Sequence, residues 1–82
     1  MTTITLENAA KVLDLKGLLC PLPVVKMARA IKEVEIGQTI EAFATDPGVM
    51  ADIPAWARST GHEMVVLEKL DKQFRFVVRR TK

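Results

Sequence analysis

The sequence predicts an α/β protein, a two-layer sandwich in which two helices pack on one face of a four-stranded mixed sheet. Strand-like and helix-like hydrophobic periods follow one another in the order β-α-β-α-β-β, within only 82 residues. For so short a chain, covering one sheet face with both helices is the economical way to bury apolar side chains. We expect a single domain over residues 1–82, with an ordered core from about 11 to 80 and disorder only near the two termini. The strand order does not follow from the sequence.

The first strand and the first helix flank the only cysteine of the chain. Lys11 to Leu15 (KVLDL) is a short β-type run that ends in a loop, after which Pro21 and Pro23 fix the backbone near helical φ. We expect the helix to begin at Cys20 or Pro21 and to close near Gly37. Its apolar residues recur at spacings of three and four, as in an amphipathic helix: Val24, Met27, Ala28, Ile31 and Val34.

The second strand and the second helix follow a polar turn. Residues 38–45 alternate apolar and mixed positions, as a strand with one well-packed face would. Asp46 followed by proline is an N-cap signal, and Asp52-Ile53-Pro54 repeats it. Because a proline six residues into a helix is costly, we expect a short turn at 47–51 and the main helix from about Ile53 to Thr60.

The last third of the chain predicts a hairpin. Gly61 is a typical helix stop, and residues 63–70 and 73–80 are both strand-like, so that they pair around Asp71-Lys72. Alternation along the last strand places Arg75 and Arg79 on the open face of the sheet.

Composition narrows the class of partner. The formal net charge is +2, which is small for a protein that binds the phosphate backbone of nucleic acid. The N-terminal stretch lacks the pattern of a signal peptide, and no apolar run approaches the ~18 residues that span a bilayer. A single cysteine cannot form an intrachain disulfide, which fits a reducing compartment. We expect a soluble cytoplasmic protein with no direct nucleic-acid or membrane partner.

Cys20 is the candidate nucleophile. At a helix N-terminus, unpaired N–H groups and the helix dipole favour thiolate over thiol. Pro21 and Pro23 bring no N–H, so donors to the sulfur would come from Leu22 or Val24. The alternative is that Cys20 is a buried small apolar residue, the commoner fate of a lone cysteine.

Several reactions are disfavoured for one thiol. Dithiol chemistry needs a resolving cysteine, and position 23, where a C-x-x-C motif has its second cysteine, is proline. His62, the only histidine, is either a surface turn residue or a base that reaches Cys20, and one Cys with one His is too few for a metal site. What remains is a thiol that forms a covalent adduct, such as a persulfide, and hands it on. Three basic residues form either a docking surface for its partners or an ordinary solvated helix face: Lys26, Arg29 and Lys32.

Four segments carry a family resemblance. They are DLKGLLCPLP (14–23), ATDPG (44–48), DIPAWA (52–57) and TGHE (60–63). Together they resemble the TusA/SirA-like small sulfur carriers, in which C-P-x-P opens the first helix, over residues 11 to 80. The resemblance implies that family's two-layer α/β sandwich, which is shared with the C-terminal domain of a bacterial translation initiation factor.

The resemblance also implies a function. Cys20 would carry persulfide sulfur from a donor protein, such as a cysteine desulfurase, a rhodanese or a DsrE-type protein, to an acceptor protein. The family's routes include tRNA thiolation, molybdenum cofactor assembly and sulfur oxidation. Such a chain is a sulfurtransferase-type carrier rather than an independent multi-turnover enzyme, and no cofactor or metal is implied.

The site residues implied by position, besides Cys20, shape the loop around it: Gly17, Pro21, Pro23 and Asp46. The last of these flanks the thiol, caps the second helix, or does both. Three residues with core spacing are expected to pack rather than to bind: Met50, Ile53 and Trp56.

Two other functions stay open. The ribosomal-factor fold and the basic residues near the C-terminus suggest an RNA-binding module, although only 5% of residues are aromatic and fold sharing is weak support. A thiol redox sensor would need a low thiol pKa and a thiol that resolves the sulfenate.

Overall fold

The computed structural model describes residues 9–82 and contains the predicted elements in the predicted order. The strands are β1 (Lys11–Leu15), β2 (Thr39–Ala44), β3 (Glu63–Leu70) and β4 (Gln73–Arg79). The helices are α1 (Leu22–Ala30), which continues into a 3₁₀ turn (Ile31–Glu33), and α2 (Val49–Thr60). The expectation of disorder at the N-terminus falls on residues 1–8, which lie outside the described residues.

The sheet has the strand order β1-β2-β4-β3. β1 and β2 are parallel, with Leu15 opposite Ala44, and β4 runs antiparallel to both β2 and β3. The predicted mixed sheet is therefore confirmed. Since β1 and β2 are parallel neighbours, the loops that follow them leave the sheet at the same edge.

Both helices cover one face of the sheet, as predicted. Ile40, Ala42 and Ala44, the apolar side of β2, are fully buried against them. The other large side chains at the centre of this core come from both helices and from β4: Met27, Ile53, Phe76 and Val78. No helix within residues 9–82 has the length and apolar character needed to cross a membrane.

The first helix is shorter than predicted at both ends. It begins at Leu22, whose N–H donates to the Leu19 carbonyl at 2.8 Å, so Cys20 lies in the turn before the helix. At the other end, Val34 is extended, and the guanidinium of Arg80 donates to the Val34 carbonyl at 2.6 Å. The chain thus leaves the helix before Gly37, and the side chain of Arg80, the residue after β4, binds the carbonyl that another helical turn would have used.

The second helix is continuous where a break was predicted. Val49–Thr60 is one helix with Pro54 inside it, so the expected turn at 47–51 is wrong. Val49, Ile53 and Ala57 are all buried at a spacing of four residues. Burial of this continuous apolar stripe outweighs the one hydrogen bond that the proline removes. Gly61 ends the helix in the left-handed conformation, with φ 86°, as predicted.

The open face of the sheet carries paired charges. Arg75 and Arg79 lie there, as predicted, on the side away from the helices. Arg75 pairs with Glu41 at 2.5 Å and with Glu68 at 2.8 Å, and Arg79 approaches Glu63 at 3.4 Å.

Candidate functional site

The loop that carries Cys20 is tied to the loop that follows β2. The N–H of Gly17 donates to Thr45 Oγ1 at 2.9 Å, and the N–H of Cys20 donates to Asp46 Oδ2 at 2.8 Å. Gly17 has a φ of 85°, a conformation that glycine adopts without strain. Two hydrogen bonds from separate residues therefore fix the cysteine loop at the edge where β1 and β2 end.

Asp46 flanks the cysteine, which is one of the two roles left open for it, but it does not cap the second helix. Its Oδ2 holds the Cys20 backbone, and its Oδ1 accepts from the Gly48 N–H at 3.1 Å in the turn that leads into α2. The N-cap position itself is Gly48, so Asp46 stabilises the turn ahead of the helix. Its carboxylate lies beside the cysteine, but its hydrogen bond is to the backbone.

The residue that contacts the sulfur is Asp52, which sequence reasoning did not include in the site. The Cys20 thiol donates to Asp52 Oδ2 at 2.9 Å. Asp52 lies in the first turn of α2. The sequence pattern predicts Asp52 as the cap of a helix that begins at Ile53. Because α2 begins at Val49 instead, Asp52 lies in its first turn, where its side chain reaches Cys20. The available signal was the second carboxylate six residues after Asp46.

Cys20 is exposed, so the alternative of a buried apolar cysteine is wrong. The hydrogen bond to Asp52, then desolvation, then the negative charges of Asp52 and Asp46 raise the pKa of the Cys20 thiol above its ordinary value. The expectation that the helix N-terminus favours thiolate is also wrong. Cys20 precedes the helix, and the Leu22 N–H predicted as a donor to sulfur is bound to Leu19 instead. The site of the free chain therefore favours the thiol form of Cys20 over the thiolate.

The two prolines beside the thiol have different environments. Pro23 is fully buried in the first turn of α1, whereas Pro21 is exposed next to Cys20 and is joined to it by a cis peptide bond. Pro23 thus anchors the start of the helix in the core, and Pro21 forms part of the surface at the thiol.

Exposed apolar side chains occur in the cysteine loop and at the starts of both helices. We call Leu19, Leu22, Val25 and Met50 the apolar collar; their exposed fractions are 69%, 45%, 40% and 37%. Three belong to the cysteine loop and the start of α1, and Met50 belongs to the first turn of α2. Met50 was expected in the core and is exposed instead, whereas Ile53 is buried and Trp56 is half-buried. Exposed apolar side chains of this size are typical of surfaces that bind other proteins.

The three basic residues considered for docking recur every three residues along α1 and the 3₁₀ turn that continues it, so they lie at increasing distances from the thiol. Lys26 and Arg29 are exposed on α1, and Lys26 is the first charged residue of that helix. Lys32 is in the 3₁₀ turn, ten residues after Leu22, which places it about 15 Å along the helix direction from the thiol end.

His62 also lies away from the thiol. It follows Gly61 at the end of α2 opposite Asp52, and its Nδ1 accepts from the Thr81 N–H at 3.2 Å. It contacts Trp56 and, with Lys32, lines a pocket of about 230 Å³. Desolvation and the positive charges of Arg80 and Lys82 lower its pKa. The 12 residues of α2 span about 18 Å, so His62 is not the base for Cys20.

Within residues 9–82, no group of three or more His, Cys, Asp or Glu side chains is arranged to hold a metal ion. The chemistry that the described site offers is that of one exposed sulfur with a carboxylate as its hydrogen-bond acceptor.

The fold and the site are together those of a small two-layer α/β protein. It carries one exposed thiol, in a turn that hydrogen bonds fix before the first helix. The family model described as sulfurtransferase TusA matches residues 11–80. The chain belongs to the TusA family.

Relatives in other organisms agree with this assignment. The sulfur carrier protein TusA of Allochromatium vinosum is 33% identical over 69 residues, which cover 84% of this chain and 91% of the relative. YrkI of Bacillus subtilis is 48% identical over 62 residues, covering 76% of this chain and 80% of YrkI. YrkF of the same organism is 44% identical over 73 residues, which are 89% of this chain but only 40% of YrkF.

A solved structure supports the fold. The SirA-like protein from Desulfitobacterium hafniense superposes with a TM-score of 0.75 at 20% identity, covering 88% of this chain and 99% of that protein. At this level of identity the likeness concerns the fold alone.

Proposed function

We propose that this chain is a single-domain sulfur carrier in which Cys20 holds one sulfur atom as a persulfide and passes it from a donor protein to an acceptor protein. The sulfur carrier role rests on membership of the TusA family. The observation that supports Cys20 as the carrying residue is the exposure of its thiol in a loop that two hydrogen bonds fix.

The transfer needs only sulfur chemistry. Cys20, once its proton has left, attacks the terminal sulfur of a donor cysteine persulfide. The S–S bond of the donor breaks, the donor cysteine leaves as a thiolate with the electron pair, and a new S–S bond forms at Cys20. Unloading is the same step with an acceptor thiolate as the attacking group. No net oxidation occurs in either direction, so neither step calls for a redox cofactor.

A sulfur carrier has a donor and an acceptor as partners. We propose a cysteine desulfurase, a rhodanese or a DsrE-type protein as the donor, and an acceptor in tRNA thiolation, molybdenum cofactor assembly or sulfur oxidation. Both partners would dock on the apolar collar, with Lys26 and Arg29 beside it on α1. The reducing compartment that keeps a lone thiol free is, on this proposal, the cytoplasm.

The two other functions gain no support from the site. The arginines of the open sheet face are paired with glutamates, which reduces the positive potential that RNA binding needs. The raised pKa of Cys20 is the opposite of the low thiol pKa typical of a redox sensor.

Persulfide loading tests the proposal. The protein is incubated with a low-molecular-weight persulfide, such as glutathione persulfide, and its intact mass is measured. The wild type should gain one sulfur atom, and the Cys20→Ser variant should gain none. Because Cys20 is the only cysteine of the chain, sulfur bound to the variant would refute the assignment.

A further inference from the structure

Both charged groups that act on the Cys20 sulfur are carboxylates. Asp52 reaches it from the first turn of α2, and Asp46 lies beside it in the loop after β2. The first charged residue of α1 is Lys26, one helical turn beyond Leu22. A negative environment is unexpected for a nucleophilic thiol, since positive neighbours are the usual means of forming thiolate.

The two carboxylates are not equivalent. Both carboxylate oxygens of Asp46 accept hydrogen bonds from backbone N–H groups, those of Cys20 and Gly48. The Oδ2 of Asp52 instead accepts a hydrogen bond from the Cys20 thiol. Asp52 is therefore the group whose interaction changes when the thiol proton is replaced by a sulfur atom.

We propose that Asp52 biases Cys20 toward giving up its sulfur, by stabilising the unloaded thiol and destabilising the loaded persulfide. This inference rests on the proposed sulfur carrier function. It assigns to Asp52 a role in setting the position of the transfer equilibrium.

Asp52 stabilises the unloaded form because the Cys20 S–H donates a hydrogen bond to a charged acceptor. Such hydrogen bonds are stronger than those between neutral groups. The loaded form loses this donor. A persulfide is more acidic than the thiol from which it forms, so its terminal sulfur is negative near neutral pH. An S–S bond of about 2 Å keeps that sulfur close to the Asp52 carboxylate, which repels it. Both effects favour unloading.

The exchange balances in atoms and charge. Cys20–S–S⁻ reacts with an acceptor thiol R–SH to give Cys20–SH and R–S–S⁻. One S–S bond breaks and one forms, and the acceptor's proton ends on Cys20, where Asp52 Oδ2 accepts a hydrogen bond from it. One negative charge is present on each side, and no oxidant or reductant is consumed.

The test compares the wild type with Asp52→Asn, which removes the charge and keeps the shape of the side chain. Each protein is equilibrated at low ionic strength with a fixed ratio of glutathione to glutathione persulfide, and intact mass gives the ratio of loaded to unloaded carrier. We expect this ratio to be at least about threefold higher in Asp52→Asn. Asp71→Asn, the same change in the β3–β4 turn, should match the wild type. An equal or lower ratio in Asp52→Asn overturns the inference.

Two further measurements use the same proteins. The pH profile of Cys20 alkylation by iodoacetamide should shift to lower pH in Asp52→Asn and stay in place in Asp71→Asn. In the wild type, raising the salt concentration should increase the loaded ratio because screening weakens the repulsion, which gives a test that needs no variant. An unshifted profile or a salt-independent ratio contradicts the inference.

The failure of this inference is distinct from the failure of the sulfur carrier function. If wild type and Asp52→Asn load on Cys20 in the same ratio, the carrier function stands and only the role of Asp52 is wrong. If sulfur does not load on Cys20 in the wild type, the proposed function itself is wrong.

Discussion

At the scale of single residues, Thr45 and Asp46 hold the backbone of the cysteine loop, and Asp52 accepts a hydrogen bond from its thiol. Cys20 and Asp46 are recognisable in the sequence because a lone cysteine before a proline-rich helix start and an Asp-Pro turn are local patterns, whereas Gly17 was implied only by the family resemblance. The sequence did not select Asp52 or the direction of the Cys20 pKa shift. Both depend on where two helices begin, and each predicted start was displaced: Cys20 lies outside α1, and Asp52 lies inside the first turn of α2.

Asp46→Ala tests the fixation of the loop. This change removes the acceptors of two backbone N–H groups, those of Cys20 and Gly48, and we expect it to lower the free energy of unfolding by about 1–2 kcal/mol. Denaturant unfolding measures this, and Asp71→Ala in the hairpin turn is the matched control. A stability equal to that of the control would mean that these hydrogen bonds do not hold the loop.

At the scale of the elements, hydrophobic periodicity gave the order and type of every helix and strand, and long-range contacts set the ends that it missed. The strands β1 and β2 and the β3–β4 hairpin could be predicted because alternating side chains and turn residues are local signals, only a few positions long. The end of α1 depends instead on Arg80, which binds the Val34 carbonyl from 46 residues away. The continuity of α2 depends on the burial of Val49 and Ile53 against the sheet, which is stronger than the local effect of Pro54.

Pro54→Ala tests that balance in α2. Alanine restores an N–H in the helix and has higher helix propensity, so we expect the free energy of unfolding to rise by about 1 kcal/mol or more. Thermal or denaturant unfolding measures the change. Ala55→Gly, at the exposed position that follows, should lower the free energy of unfolding because glycine has a lower helix propensity than alanine. A destabilised Pro54→Ala variant would show that packing of the half-buried proline ring matters more than the restored hydrogen bond.

At the scale of the whole molecule, the two ends of the helical layer carry different groups. The end at which both helices begin carries the thiol, the two carboxylates and the apolar collar. The opposite end carries His62, Trp56 and Lys32, where positive charges lower the pKa of the histidine. Amphipathic periodicity predicted that the helices cover one sheet face, but which apolar residues at the helix starts stay exposed follows only from the packed arrangement.

The apolar collar should matter for transfer between proteins and not for folding. We expect Leu19→Ser to reduce the rate of sulfur transfer from a protein donor by about tenfold, because an interface loses a central apolar contact. Ile36→Ser is the matched control, since Ile36 is 65% exposed and Leu19 is 69% exposed, but Ile36 lies in the loop before β2. Loading by glutathione persulfide should be unchanged in both variants. Equal transfer rates in the two variants would exclude the collar as the docking surface.

The lowered pKa of His62 predicts that the free energy of unfolding depends on pH. Because the pKa of His62 is lower in the folded chain than its ordinary 6.5, the unfolded chain takes up the proton first as the pH falls. The contribution of His62 to stability is thus complete above its ordinary pKa and is lost as the pH falls through 6.5 towards the folded value. Denaturant unfolding between about pH 7.5 and 5.5 should show a decrease in the wild type that is smaller in His62→Asn. Identical slopes in the two proteins would contradict this.

The relay of one sulfur atom through Cys20 is the central claim, and a two-step labelling experiment tests it most directly. The protein is loaded with isotopically labelled persulfide sulfur, separated from the donor, and mixed with an excess of an acceptor thiol. The account predicts that intact mass shows loss of one sulfur atom from the carrier, that the label appears as persulfide on the acceptor, and that Cys20→Ser carries none. Label that stays on the protein after the acceptor is added, or label carried by Cys20→Ser, would contradict the account.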